Sequence, residues 1–173
     1  MQQVGFGDTD SQICIYIEHS PKFSEFCEPP KLVPLPIGAI DIIANACGNG
    51  WRKIFNVYAK FAFQLAHEMT KSADYQTWQI YRDQQLLQIH SNTCLLFSPP
   101  ELKTCSKSLH IIAGRTYATK LLNTELADVQ VHWINKEFAI CPVNRLIICP
   151  FLDYRQLSNE KITMLVNLCK QLD

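Results

Sequence analysis

The chain has 173 residues, 47% of them hydrophobic and 18% charged, which excludes a disordered protein and allows a core that needs neither metal nor disulfide staples. Sixteen basic residues balance sixteen acidic ones, so no global field draws the protein to nucleic acid or membrane, and polyanion binding would have to come from a local patch. No apolar run reaches the roughly 20 residues a membrane helix needs, and the opening MQQVGFGDTDSQ has neither the basic start nor the apolar core of a signal peptide, so a cytoplasmic protein without membrane partners is expected.

In chain order, residues 1–11 read as a flexible, glycine-containing leader. Residues 12–18 (QICIYIE) then alternate Ile13, Ile15 and Ile17 with Cys14 and Tyr16, apolar on both sides, as in a strand covered on both faces. The segment CEPPKLVPLP, 27–36, is expected to be irregular, because its prolines cannot donate to a ladder. From 36 the period becomes helical through Ile40, Ile43, Ala44 and Cys47, and Gly48-Asn49-Gly50 ends that helix. A longer helix over 51–70 carries Ile54, Val57, Tyr58, Phe61 and Leu65 in one broad stripe. Ser72 can cap a third helix reaching 88, whose aromatic residues Tyr75, Trp78 and Tyr81 could meet a protein partner.

The second half has a shorter rhythm. TCLLF (93–97) and LHIIA (109–113) read as buried strands, separated by a polar, partly helical ELKTCSKS. A helix over 115–126 follows Gly114, a strand with one solvated face spans 129–134, RLIIC (145–149) is the last buried strand, and Ile162, Leu165, Val166, Cys169 and Leu172 stripe a closing helix. Strands alternating with helices predict a single three-layer α/β/α domain over 1–173 with a mostly parallel sheet of four to five strands. The long helical stretch from 36 to 88 is then the crossover between the first two strands.

In a parallel sheet the carboxyl ends of the strands share one edge, where ligands bind. The turns His19-Ser20-Pro21, Ser98-Pro99-Pro100, Gly114-Arg115 and 150–155 would therefore line one crevice. Asp153, Tyr154, Arg155 and Asn159 combine a carboxylate, an aromatic face, a planar cation and an amide beside a helix start, a set suited to a planar polar ligand or a phosphate. The competing structural reading has Asp153 or Ser158 capping the helix and Arg155 in an ion pair. Gly114-Arg115-Thr116 could present amides to an anion but lacks both phosphate-loop patterns, and Lys103, Lys107, Arg115 and Lys120 make 101–120 basic, as a solvated face or a phosphate track. His19 is the candidate catalytic histidine, by its place at a strand end. The other histidines, 67, 90, 110 and 132, read as surface or core residues. None of the eight cysteines stands in a C-x-x-C pair, no metal-ligand spacing appears, and no cofactor is expected; reduced, mostly buried thiols follow.

The run 98–122, with Pro100, Glu101, Cys105, Ile111, Ile112, Gly114, Ala118 and Leu121, resembles a proline turn, apolar strand, glycine and helix of the uracil-DNA glycosylase-like superfamily. CPFLDYRQLSNEK, 149–161, lies where that family carries a His-Pro-Ser type motif, and here Cys149 precedes Pro150 in place of the histidine. The resemblance implies an α/β scaffold and a crevice for a nucleobase-containing ligand or nucleic acid more than it implies hydrolysis. If an N-glycosidic bond is hydrolysed, it implies that Glu18 or His19 orients water while Tyr154, Arg155 and Asn159 hold the flipped base or its phosphates, with Ser20, Gly114, Arg115 and Asp153 around them. Two other classes stay open: an interaction or scaffold domain that keeps the fold without the chemistry, and a thiol enzyme, which requires a cysteine of depressed pKa.

Overall fold

The computed structural model describes residues 3–23, 26, 31–70, 75–102 and 107–172. Among them are eight strands and five α-helices: β1 Gly5–Gly7, β2 Ile13–Tyr16, β3 Leu32–Val33, α1 Ala39–Cys47, α2 Asn49–Thr70, α3 Trp78–Gln84, β4 Thr93–Leu96, β5 Leu109–Ala113, α4 Arg115–Leu122, β6 His132–Trp133, β7 Ala139–Cys141, β8 Leu146–Cys149 and α5 Asn159–Gln171. The strands form one sheet in the order β3-β1-β4-β2-β5-β8-β7-β6. The α/β class thus stands, with a mixed, mostly parallel sheet larger than the four to five strands that apolar runs alone indicate.

The centre of the sheet, β4-β2-β5-β8, is parallel throughout, with Ile15 opposite Leu95 on one side and Ile111 on the other, and Ile111 opposite Ile147. These strands are the apolar runs of the sequence, buried on both faces because helices cover both. On one face Ile15, Ile17, Ile111 and Ile147 pack with side chains of α1, α2, α3 and α5. On the other, Cys14, Tyr16, Ile112 and Ile148 pack with Tyr117, Ala118 and Leu121 of α4. Tyr58 of α2 is wholly buried, and its hydroxyl lies 2.9 Å from the Cys94 carbonyl and 3.2 Å from that of Ile13, fastening the helix to two strands.

The additional strands are short and depend on pairing. The expected flexible leader is wrong for residues 5–7, which run antiparallel to β4 as β1, and Asp8 and Ser11 beyond it are buried too. Gly5 and Gly7 permit this: a Cβ at either would collide with the β4 backbone, at the Leu95 and Thr93 carbonyl oxygens respectively, and Gly7 has a φ of 127°. Within the proline-rich segment, Leu32 and Val33 form β3 beside β1, so the expected irregularity fails there; 27–30 lie outside the described residues. β7 pairs antiparallel with both β8 and β6. Of the strand expected over 129–134 only His132 and Trp133 pair, and both are exposed.

Helix limits follow local chemistry. Gly48, at a φ of 82°, closes α1, but Asn49 and Gly50 begin α2 instead of breaking the chain further. Thr77 caps the third helix, accepting from the Ile80 amide at 3.3 Å, so it starts later than a Ser72 cap would place it and ends at Gln84; Ser72 lies outside the described residues. Among the described residues no helix is long and apolar enough to cross a membrane.

Candidate functional site

The central order β4-β2-β5-β8 reverses direction around β2: the chain passes from β2 to β4 on one side, then returns to β5 on the other. In open α/β sheets such a reversal leaves a crevice outside the carboxyl ends of the two strands, because the connections leave to opposite sides. Here a crevice of about 530 Å³ lies at that place. Ile17, Glu18, His19 and Ser20 enter it from the end of β2, Ala113 to Tyr117 from the β5–α4 junction, and Phe151, Asp153 and Gln156 from the turn after β8; Gly50, Trp51 and Ile54 close it from the start of α2. A smaller depression of about 330 Å³ adjoins it and joins Glu18, His19 and Ser20 to Phe97 and Ser98. The turns after β2, β5 and β8 therefore meet, and the turn after β4 stands beside them.

The crevice is polarised by backbone as well as side chains. Gly114, at a φ of 108°, turns the chain directly from β5 into α4, whose amino terminus has neither a side-chain cap nor an acidic residue in its first turn. α2 also begins without an acidic residue, and its Gly50 lines the same space. Two helix amino termini thus direct partial positive charge into one cleft, which favours an anionic group there. Arg115 is held at the rim: its Nη1 donates to the Lys136 carbonyl at 2.9 Å and its guanidinium lies 5.5 Å from the Trp133 ring centre. Trp51 and Phe151 supply flat apolar wall, and Trp51 is itself packed against Phe55 and Phe97. Tyr117 keeps its phenolic proton far into the alkaline range, its pKa pushed up to about 12 chiefly by burial.

Of the proposed catalytic pair, Glu18 accepts from Lys120 Nζ of α4 at 2.9 Å, and that hydrogen bond holds its carboxyl below the ordinary range. His19 is well exposed, with Nε2 3.8 Å from Glu18. Both lie on the crevice rim, where an ionised carboxylate can accept a hydrogen bond from a ligand or a water. Asp153 lines the crevice but is engaged: Oδ1 accepts from the Arg155 amide at 2.9 Å and Oδ2 from Lys53 Nζ at 2.9 Å. The first of these, then the lysine, lower its pKa.

The remaining predicted ligand residues are not brought in. Tyr154, Arg155 and Asn159 lie outside the crevice lining, because the Asp153 bond to the Arg155 amide closes a local turn. Tyr154 projects to the surface with the Lys53 ammonium 4.9 Å and the Arg155 guanidinium 5.9 Å from its ring centre. Asn159 opens α5 and accepts from Lys60 at 3.3 Å, while Ser158 caps that helix by accepting from the Lys161 amide at 3.4 Å. For Ser158 the structural reading prevails. The basic run over 101–120 is no continuous track: Lys107 precedes β5 and Arg115 follows it, at opposite ends of one strand, and 103–106 lie outside the described residues.

One further expectation, of buried thiols, holds at Cys149, and another changes. Cys149, where the resemblance would place a histidine, is fully buried, with Sγ donating to the Pro150 carbonyl at 3.3 Å and its thiol pushed up by burial, so it offers neither nucleophile nor base. The aromatic trio of the third helix is not an open face. Tyr81 is buried, the Tyr75 hydroxyl donates to Gln85, and Trp78 is covered by the cations of Lys60 and Arg82. Sequence reasoning missed Trp51, Tyr117 and Gln156 as crevice residues, whereas Phe151 belongs to the 150–155 turn expected there. The missed signal was Trp51 just after a glycine-led helix start, on a helix whose direction is decided only once it packs.

Fold and site together define an α/β protein with a polar, aromatic-walled crevice at the switch point of its parallel strands. The chain matches a family of unknown function, DUF6942, over residues 4–170, and it belongs to that family. No curated protein and no solved structure matches it.

Proposed function

We propose that this protein binds a nucleobase-containing ligand, as a nucleotide or as part of a nucleic acid, in the crevice between the ends of β2 and β5. The observation that carries this reading is that one cleft of about 530 Å³ combines aromatic wall with two helix amino termini. Trp51 and Phe151 suit a planar base, since every base has a π-face and stacking is worth about 1–3 kcal/mol per base. Gln156, Ser20 and Glu18 supply donors and acceptors for a base edge, and the α4 terminus with Arg115 suits a phosphate. The resemblance of 98–122 to uracil-DNA glycosylase-like proteins supports the same class of ligand. The zero net charge favours a single nucleotide or a short single-stranded segment over tight, sequence-independent binding to duplex, which draws on many displaced counterions. Because the thiol of Cys149 replaces a histidine, recognition, not hydrolysis, is the role assigned to the crevice.

Titration of the protein with uridine monophosphate and with a uracil-containing single-stranded oligonucleotide, followed by tryptophan fluorescence at low and moderate salt, tests the reading. Saturable binding that weakens with salt, and falls at least tenfold in Trp51→Ala and in Arg115→Ala, is expected. Absence of binding to either probe at low salt would defeat it.

A further inference from the structure

A second cavity lies at the opposite edge of the sheet, where the central strands begin. It measures about 520 Å³ and is entered by residues that precede strands, Gln12, Asn92, Lys107 and Arg145, whereas the crevice described above is entered by residues that follow them. One part of its lining is apolar, with Ile13, Leu65, Met69 and Leu109 beside Phe63 and Tyr81, and the rest is polar. Among the described residues the charged side chains of its lining are Lys107 and Arg145, with no Asp or Glu. We propose that this cavity is a binding site for a small organic anion with an apolar body, of the chemical class of a medium-chain monocarboxylate.

Three features support a preformed ligand site over an accidental gap. The volume falls within the range of about 300–1,000 Å³ typical of small-molecule pockets, and the lining offers both apolar wall and polar groups. The backbone around it is held in uncommon conformations. His90, Asn92 and Arg145, with φ of 61°, 57° and 48°, are three of the four left-handed non-glycine residues described, and all three line the cavity; the fourth, Leu87, is in the same loop as the first two. Such residues persist where surroundings over-determine them. Here Gln85 Nε2 donates to the His90 carbonyl at 3.0 Å, the Leu87 backbone amide to Thr93 Oγ1 at 3.1 Å, and Thr93 Oγ1 to Ser91 Oγ at 2.9 Å.

The cationic end is similarly built. Arg145 is set at the start of β8 with Nη1 donating to the Leu172 carbonyl at 2.6 Å, which ties its guanidinium to the end of α5. Lys107, just before β5, is exposed, with no partner among the described residues, and its long side chain can reach an anion. A carboxylate between the two would leave its chain along Leu65, Met69 and Tyr81, so both the charge and the apolar tail would be matched.

Calorimetric titration of the full chain with decanoate, and with decan-1-ol as its uncharged counterpart, tests the site. Decanoate saturating at one molecule per chain, with decan-1-ol at least tenfold weaker, is the expected result. Lys107→Ala should weaken decanoate about tenfold, and Ala66→Trp, placed on the exposed surface of α2 at the cavity wall, should abolish binding. Both positions are exposed, and an unchanged circular dichroism spectrum verifies that each variant is folded. Non-saturable or absent decanoate binding, equal affinity for the alcohol, or undiminished binding in the Ala66→Trp variant would overturn the proposal.

Discussion

His110 should make this protein acid-sensitive over a defined window. The residue is in β5, 4% exposed, with Nδ1 2.8 Å from the Tyr16 hydroxyl and Nε2 without a hydrogen-bond partner among the described residues. Burial, and next the positive charge of Arg145, lower its pKa from 6.5 to about 4. Above pH 6.5 the imidazole is neutral in both folded and unfolded chains and contributes no pH dependence. Between 6.5 and about 4 the unfolded chain takes up a proton that the folded chain refuses, so stability falls as acid is added; below about 4 the folded chain protonates as well and the loss levels off. The window spans about two and a half pH units at about 1.4 kcal/mol each, so the full loss is about 3 kcal/mol. With a urea dependence of about 2 kcal/mol per molar, the unfolding midpoint should drop by about 1.5 M across the window.

Urea unfolding at several pH values between 4 and 7, for the native chain and for His110→Asn, measures this. The baseline cost of the substitution does not matter, because the pH slope is what is compared. Glu18, Glu68, Glu125 and Asp153 also have lowered pKa values and lose stabilising charge in acid, but they do so in both proteins and cancel in the difference. Parallel pH profiles for the two proteins, or a His110 ring proton that titrates near 6.5 by NMR, would refute the argument.

Two substitutions examine the elements that position the crevice. Gly7→Ala should cost at least about 2 kcal/mol in chemical denaturation, since a Cβ there meets the Thr93 carbonyl and the Cys94 backbone and the φ of 127° is unfavourable for any L side chain. A neutral result would show that β1 does not lie against β4. Tyr58→Phe removes the hydroxyl shared by the Cys94 and Ile13 carbonyls and should cost about 1–3 kcal/mol. For a chain of this length each kcal/mol lowers the thermal midpoint by about 2–4 °C, which calorimetry resolves; an unchanged midpoint would mean that water satisfies those carbonyls.

The amino-acid sequence by itself determined the elements that carry enough local information to stand alone. β2, β4, β5 and β8 are apolar on both faces, and α1, α2 and α5 have helical stripes bounded by Gly48, Ser158 and their neighbours, so each was legible from period and punctuation. Their alternation implied α/β architecture and a crowded carboxyl edge, and Glu18, His19, Ser20, Gly114, Arg115 and Asp153 do meet there. The tertiary structure decided what pairing and packing decide. β1, β3, β6 and β7 are two or three residues long, too short to show a period, and exist because a neighbouring ladder accepts them. Tyr154 and Arg155 turn outward because Asp153 spends its oxygens on the Arg155 amide and Lys53, a local competition that composition cannot rank. Trp51 reaches the crevice only because packing against the sheet sends the start of α2 there. Distance along the chain records none of this, because strand order and helix direction are set by which apolar faces can be buried together.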